Sequence, residues 1–195
     1  MTTQNGPTEL PRAPGEQALL QAAFRDVHAA RIHGFALIVT LGNHGVAAGV
    51  AARAVSEGCT RLDEMRHPER AAAWLRNRVL RLLPRDAASE DAATGDAVLS
   101  ALGLAAYAVA GLRAVSLLER VALVVADLER LDSRDVATVV NRDGEALAHL
   151  LARARRRYLE AALQAMPEEM EPSAGPLRTR IANRAWEAMG GGAAS

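Results

Sequence analysis

Apolar positions recur at steps of three and four over most of the chain, a spacing that gathers side chains on one face of a helix and that a strand does not produce. The pattern starts at Glu16 and runs to about Leu41 through Leu20, Phe24, Val27, Ile32, Phe35 and Val39, until Gly42-Asn43 interrupts it. A second helix is predicted over 44–65, with a face of Ala, Val and Gly. A third opens at Pro68, whose missing amide is no loss in a first turn; it turns Ala71, Leu75, Val79 and Leu82 to the core and is stopped by Pro84. Residues 84–97, PRDAASEDAATGDA, are polar, acidic and turn-rich, which reads as a flexible linker between two domains.

The stretch 116–158 is the most sharply patterned. Leu117, Val121, Val124, Leu128 and Leu131 share one helical face, and Glu119, Glu129 and Arg130 are assigned to the opposite one. Asp132 stands where an N-cap belongs, with Asp135 three residues on as an acidic variant of the capping box, so a short helix is predicted over 133–140. Asn141 tolerates the left-handed backbone of a helix C-cap, and Asp143 can cap a further helix from Gly144. A small residue at Ala137, the turn residue Asn141 and an apolar Leu147 complete the spacing of a helix-turn-helix. The following helix ends in an arginine run, Arg153-Ala154-Arg155-Arg156-Arg157.

Composition supports an all-α fold. Half of the 195 residues are hydrophobic, chiefly Ala, Leu and Val, and only 3% are aromatic, so the core is helical and shallow. The chain carries 23 basic and 23 acidic residues and no lysine. A nucleic-acid binder is expected to be basic somewhere, and here only local patches are. A single cysteine, Cys59, excludes an internal disulfide and suits a reducing compartment. No apolar run is long enough to span a bilayer, and the start MTTQNGPTELPRAPGE lacks the basic and apolar regions of a signal peptide, so the expectation is a cytoplasmic protein without membrane contact. His28, His33, His44, His67 and His149 lack metal-ligand spacing, and no phosphate loop, nucleophile elbow or zinc-protease pattern occurs; no metal, cofactor or enzymatic activity is expected.

These residues resemble the extracytoplasmic-function (ECF) sigma factors of bacterial RNA polymerase. Leu118-Glu119-Arg120, Leu128-Glu129-Arg130-Leu131-Asp132, Val136-Ala137 and Arg153-Ala154-Arg155-Arg156 are similar to the family's fourth region. Phe35-Ala36-Leu37, Gly42-Asn43, Arg61-Leu62-Asp63-Glu64-Met65, Pro68-Glu69-Arg70 and Trp74-Leu75 are similar to its second region, over 24–83. The resemblance implies two small helical domains, a region 2-like domain at 16–83 and a region 4-like helix-turn-helix domain at 98–165, joined by the linker. They are flanked by a disordered tail at 1–15 and a tail at 166–195 with a short helix over 177–189, whose Ile181, Ala185, Trp186 and Met189 share a side.

The function implied is that of a transcription initiation factor. Its first domain would bind the RNA polymerase core and melted promoter DNA, its second the upstream duplex, and an anti-sigma factor would regulate it. Promoter contacts fall on Arg142, His149, Arg153, Arg155, Arg156 and Arg157, and contacts with polymerase or another partner on Val50, Arg53, Glu57 and Arg61. The sequence departs from the family in two places. Where the family has an acidic, glutamine-containing polymerase motif followed by aromatics, this chain has Gly49-Val50-Ala51-Ala52-Arg53-Ala54-Val55 and then Cys59. The start of the recognition helix, with Asp143, Glu145, Ala148, His149 and Ala152 outward, has few groups that pair with base edges. The alternative is therefore a repurposed sigma-like protein that has lost promoter recognition and acts through protein contacts, holding an anti-sigma factor or serving as a scaffold.

Overall fold

In the computed structural model, residues 14–62, 68–84, 86–87 and 91–167 are described, and every regular element among them is helical. The first helix, α1, spans Pro14–Val39, two residues earlier than its apolar pattern, because proline suits a first turn. It ends where the Thr40 hydroxyl donates to the Ala36 carbonyl at 2.8 Å and where Leu41 and Gly42 turn with φ of 54° and 80°. Helix α2, His44–Cys59, opens on the Asn43 side chain, which accepts from the Val46 amide at 3.1 Å. It stops short of the predicted end, the Thr60 hydroxyl donating back to the Glu57 carbonyl; residues 63–65 of the prediction lie outside the described residues. Helix α3, Pro68–Leu82, keeps its predicted stripe inward, with Ala71, Leu75 and Val79 at 2% exposure or less.

The stretch that reads as linker is helical from its ninth residue. Asp91 accepts from the Ala93 amide at 3.0 Å and from the Thr94 hydroxyl, and so caps α4, Ala92–Ala101. A residue that looks like linker composition is here a helix start. Helix α5, Ala106–Ala114, is followed by α6, Leu117–Leu123, a single π-helical turn over Val124–Leu128, α7, Ser133–Val140, and α8, Gly144–Gln164. Of the predicted tails at 1–15 and 166–195, residues 14–15 belong instead to α1, and 1–13 and 168–195, including the 177–189 helix, lie outside the described residues.

One cluster of buried side chains runs through the molecule: Ile32, Phe35 and Val39 of α1, Leu75 and Val79 of α3, Leu99 of α4, Val121 of α6, Val136 and Val139 of α7, and Leu147 and Leu150 of α8. Residues before and after the acidic stretch therefore share a core. Three polar contacts reinforce that junction. Buried Arg76 of α3 forms a bidentate pair with Glu129, just past the π turn, and the Asn77 side-chain amide donates to the carbonyls of Thr138 and Val139 at 3.1 and 2.8 Å, at the end of α7. Arg120 of α6 donates to the Val39 carbonyl at 2.7 Å, at the end of α1. The left-handed turn at Gly42 also lies so close to the backbone of Gly95 in α4 that a Cβ there would collide with it.

Two positions assigned to the core by periodicity are outside it. Leu20 is 39% and Val27 55% exposed. The end of α2 covers the flank of α1 that carries Gln21, Phe24 and His28, with the Gln21 side chain reaching the Cys59 carbonyl, and this leaves the Leu20 and Val27 side of the same helix bare.

Candidate nucleic-acid interface

The helix-turn-helix is built from caps. Asp132 accepts from the Asp135 amide at 2.8 Å and starts α7; its last turn closes on Asn141, whose φ and ψ of 52° and 49° are the left-handed conformation expected of it. Helix α8 starts at Gly144 as predicted, but Asp143, in extended conformation, makes no side-chain cap bond. The positions predicted to face outward at the start of α8, Asp143, Gly144, Glu145, Ala148, His149 and Ala152, are all exposed. His149 faces its own helix neighbour, its ring nitrogen 3.2 Å from the Glu145 carboxylate, and Arg142 donates to the carbonyl of Asn141 at 2.8 Å.

The arginine run does not end its helix, as its position in the sequence predicts; it sits in the middle of α8, with two further turns beyond it. Its members are paired with acids of the same chain. Arg153 donates to one oxygen of Glu119 at 2.5 Å and Arg157 to the other at 3.3 Å, while Arg155 makes a two-point pair with Asp127 at 2.9 and 2.5 Å. Arg156 lies 3.8 Å from Glu160, both largely exposed. Four guanidinium charges meet three carboxylates, which leaves a net of one positive charge.

Periodicity assigns Glu119 to an outward face, yet it is 1% exposed. The reason is local: Ser116 and Glu119 form a complete capping box, the Ser116 hydroxyl accepting from the Glu119 amide and the Glu119 carboxylate accepting from the Ser116 amide at 2.9 Å. Burial pushes its carboxyl up, but the Ser116 amide, Arg153, the Ser116 hydroxyl and Arg157 together bring it down to about 2. On the other flank, the π turn adds a residue to the helical register just where Asp127 must reach α8 and Glu129 must reach Arg76. The hydrogen bond and charge of Asp127 outweigh the desolvation of Arg155 and raise its proton affinity.

Arg120 occupies the centre of this arrangement. It is 6% exposed and donates to the carbonyls of Leu112 at 2.8 Å, Val39 at 2.7 Å and Val115 at 3.2 Å. Burial, and then the charge of Arg113, lower its pKa to about 10. The Ser116-Leu117-Leu118-Glu119 spacing is a legible signal for the capping box; no signal in the sequence marks Asp127 or Arg120 as partners of distant groups.

On α2, the second set of predicted contacts divides. Val50 is 8% exposed and packs inside the core, so it is not a surface contact in this conformation. Arg53 is exposed and 3.2 Å from Glu57. Glu57 is also held by Arg78 of α3, whose hydrogen bond is the main cause of its lowered pKa. Exposed Arg61 lies with its guanidinium carbon 6.0 Å from the centroid of the Trp74 ring. Among the described residues no group of three His, Cys, Asp or Glu side chains gathers to hold a metal, and no helix is long and apolar enough to cross a membrane.

Comparison with known family models, with curated proteins and with solved structures found no significant match.

Proposed function

We propose that this chain is a sigma-like regulatory protein that acts through protein contacts, with its helix-turn-helix serving as architecture more than as a reader of base sequence. The observation that carries this reading is the pairing of Arg153 and Arg157 with buried Glu119 and of Arg155 with Asp127. A phosphate group would have to compete with carboxylates already in place, and drawing both arginines away from Glu119 would leave its buried charge to the Ser116 cap alone. The exposed start of α8, with Asp143 and Glu145 beside Ala148 and Ala152, repels phosphate and offers few donors to a base edge. The surface around Arg53, Glu57 and Arg61 is the accessible part of the segment where the resemblance puts polymerase or anti-sigma contacts.

The second reading, a promoter-binding sigma factor, is favoured by the Asn141 turn and by the exposed Arg134, Arg142 and Arg156, which lie on or beside the helix-turn-helix. Titration of the purified protein with RNA polymerase core and with promoter-containing duplex separates the two. Partner binding without retention of DNA supports the protein-contact reading, and directed, sequence-selective transcription overturns it.

A further inference from the structure

Among the described residues, Leu19, Leu20, Val27 and Leu163 are the large apolar side chains left exposed, at 73%, 39%, 55% and 45%. Three of the four lie on one flank of α1. Exposed Ala23 and Ala30 continue the same flank, and a Cβ built on Gly34 would meet nothing within 4 Å. Leu20, Ala23, Val27, Ala30 and Gly34 are spaced by three and four residues alternately, the spacing of a coiled-coil seam, and the small residues in the series allow a second helix to approach closely. This seam faces away from Ile32 and Phe35, which hold the other side of α1 in the core, and half-buried Phe24 lies along its edge. Helix α1 is thus apolar on two sides, and an apolar patch of this kind marks a contact surface more often than chance.

The charges bordering the seam select the occupant. Asp26 lies on one edge and Arg31 on the other; both are exposed, and among the described residues neither has an ion-pair partner in the chain. In a parallel pair of helices a residue on one edge meets the residue five positions later on the opposite edge of its neighbour. Asp26 of each chain then faces Arg31 of the other, twice by symmetry. An antiparallel pairing centred on Val27 instead sets Asp26 near its own copy. We propose that the occupant is a second copy of this chain, docked through α1 in a parallel, two-fold arrangement. The seam from Leu20 to Gly34 is only about 21 Å long at ~1.5 Å per residue, so the dimer is reversible and concentration-dependent.

Sedimentation equilibrium of the full chain across micromolar concentrations tests this. A monomer–dimer equilibrium is expected. Val27→Glu should yield monomer at every concentration, with the thermal midpoint that the wild type shows at monomeric dilution, since Val27 is outside the core. Asp26→Arg and Arg31→Asp should each weaken the dimer at least tenfold, and the double exchange should recover most of the loss. Leu20→Cys, with the wild type as control for buried Cys59, should cross-link to its own copy under mild oxidation in a parallel seam, whereas an antiparallel pairing centred on Val27 sets residue 20 against Gly34. A chain that is monomeric throughout, as it would be if 168–195 or another protein covered the face, overturns the proposal. So does a dimer indifferent to Val27→Glu, or a double exchange no tighter than either single one.

Discussion

Glu119 satisfies a helix start and two arginines at once, and its proton equilibrium records the result. Because its folded pKa of about 2 lies below the ordinary 4.5, the stabilisation it provides is complete above pH ~4.5 and is lost as the pH falls toward 2. Each tenfold change in proton affinity is worth ~1.4 kcal/mol, so the whole effect amounts to about 3 kcal/mol. Glu119→Gln should be less stable at pH 7 by up to about that amount and should show a flatter pH dependence of urea midpoint below 4.5 than the parent; parallel profiles would remove Glu119 from its assigned role. Arg120 acts differently, since among the described residues no acid answers its charge and its donors go to three carbonyls. Arg120→Met keeps much of the volume and orphans those carbonyls, at a cost of about 3 kcal/mol or more in urea unfolding. A loss well below 1 kcal/mol would mean that water replaces the guanidinium.

At the scale of elements, α7 is readable to the residue because both ends carry their own chemistry, Asp132 as N-cap and Asn141 in the left-handed turn. Asn141→Val, which puts a branched side chain at φ 52°, should cost about 1–2 kcal/mol in thermal or urea unfolding; an unchanged midpoint would show that the turn tolerates it. The α4–α5 pair is less legible. Ala-rich segments carry little contrast between faces, and the capping acid Asp91 hides in a run of acids that also fits a linker. The arginine run is visible in the sequence, but its neutralisation is not: Glu119 and Asp127 lie 34 and 28 residues upstream of their partners, and only the packing of α6 and the π turn on α8 brings them together. Periodicity correctly orients Ile32, Phe35 and Val39 but assigns Leu20 and Val27 to the same interior, because a helix apolar on two sides has no single direction for a periodic signal to report.

For the molecule as a whole, the shared core and the Arg76–Glu129 and Asn77 contacts tie α3 to α7 and to the segment before it. Calorimetry and near-ultraviolet circular dichroism should therefore report one cooperative transition for the described helices, and two separated transitions would show that the halves unfold independently. The same organisation bears on function. A helix-turn-helix whose Arg153, Arg155 and Arg157 are already answered within the chain has less charge left to exchange with DNA counterions. The most direct test of that claim is the salt dependence of binding to labelled duplex DNA between about 50 and 200 mM salt, where a protein making 6–10 phosphate contacts loses ~10³–10⁵ in affinity. The account predicts weak binding with a slope near that of a single contact, unchanged by Arg155→Ala. A steep slope that flattens when Arg153, Arg155 and Arg157 are replaced by alanine would contradict it and restore the promoter-binding reading.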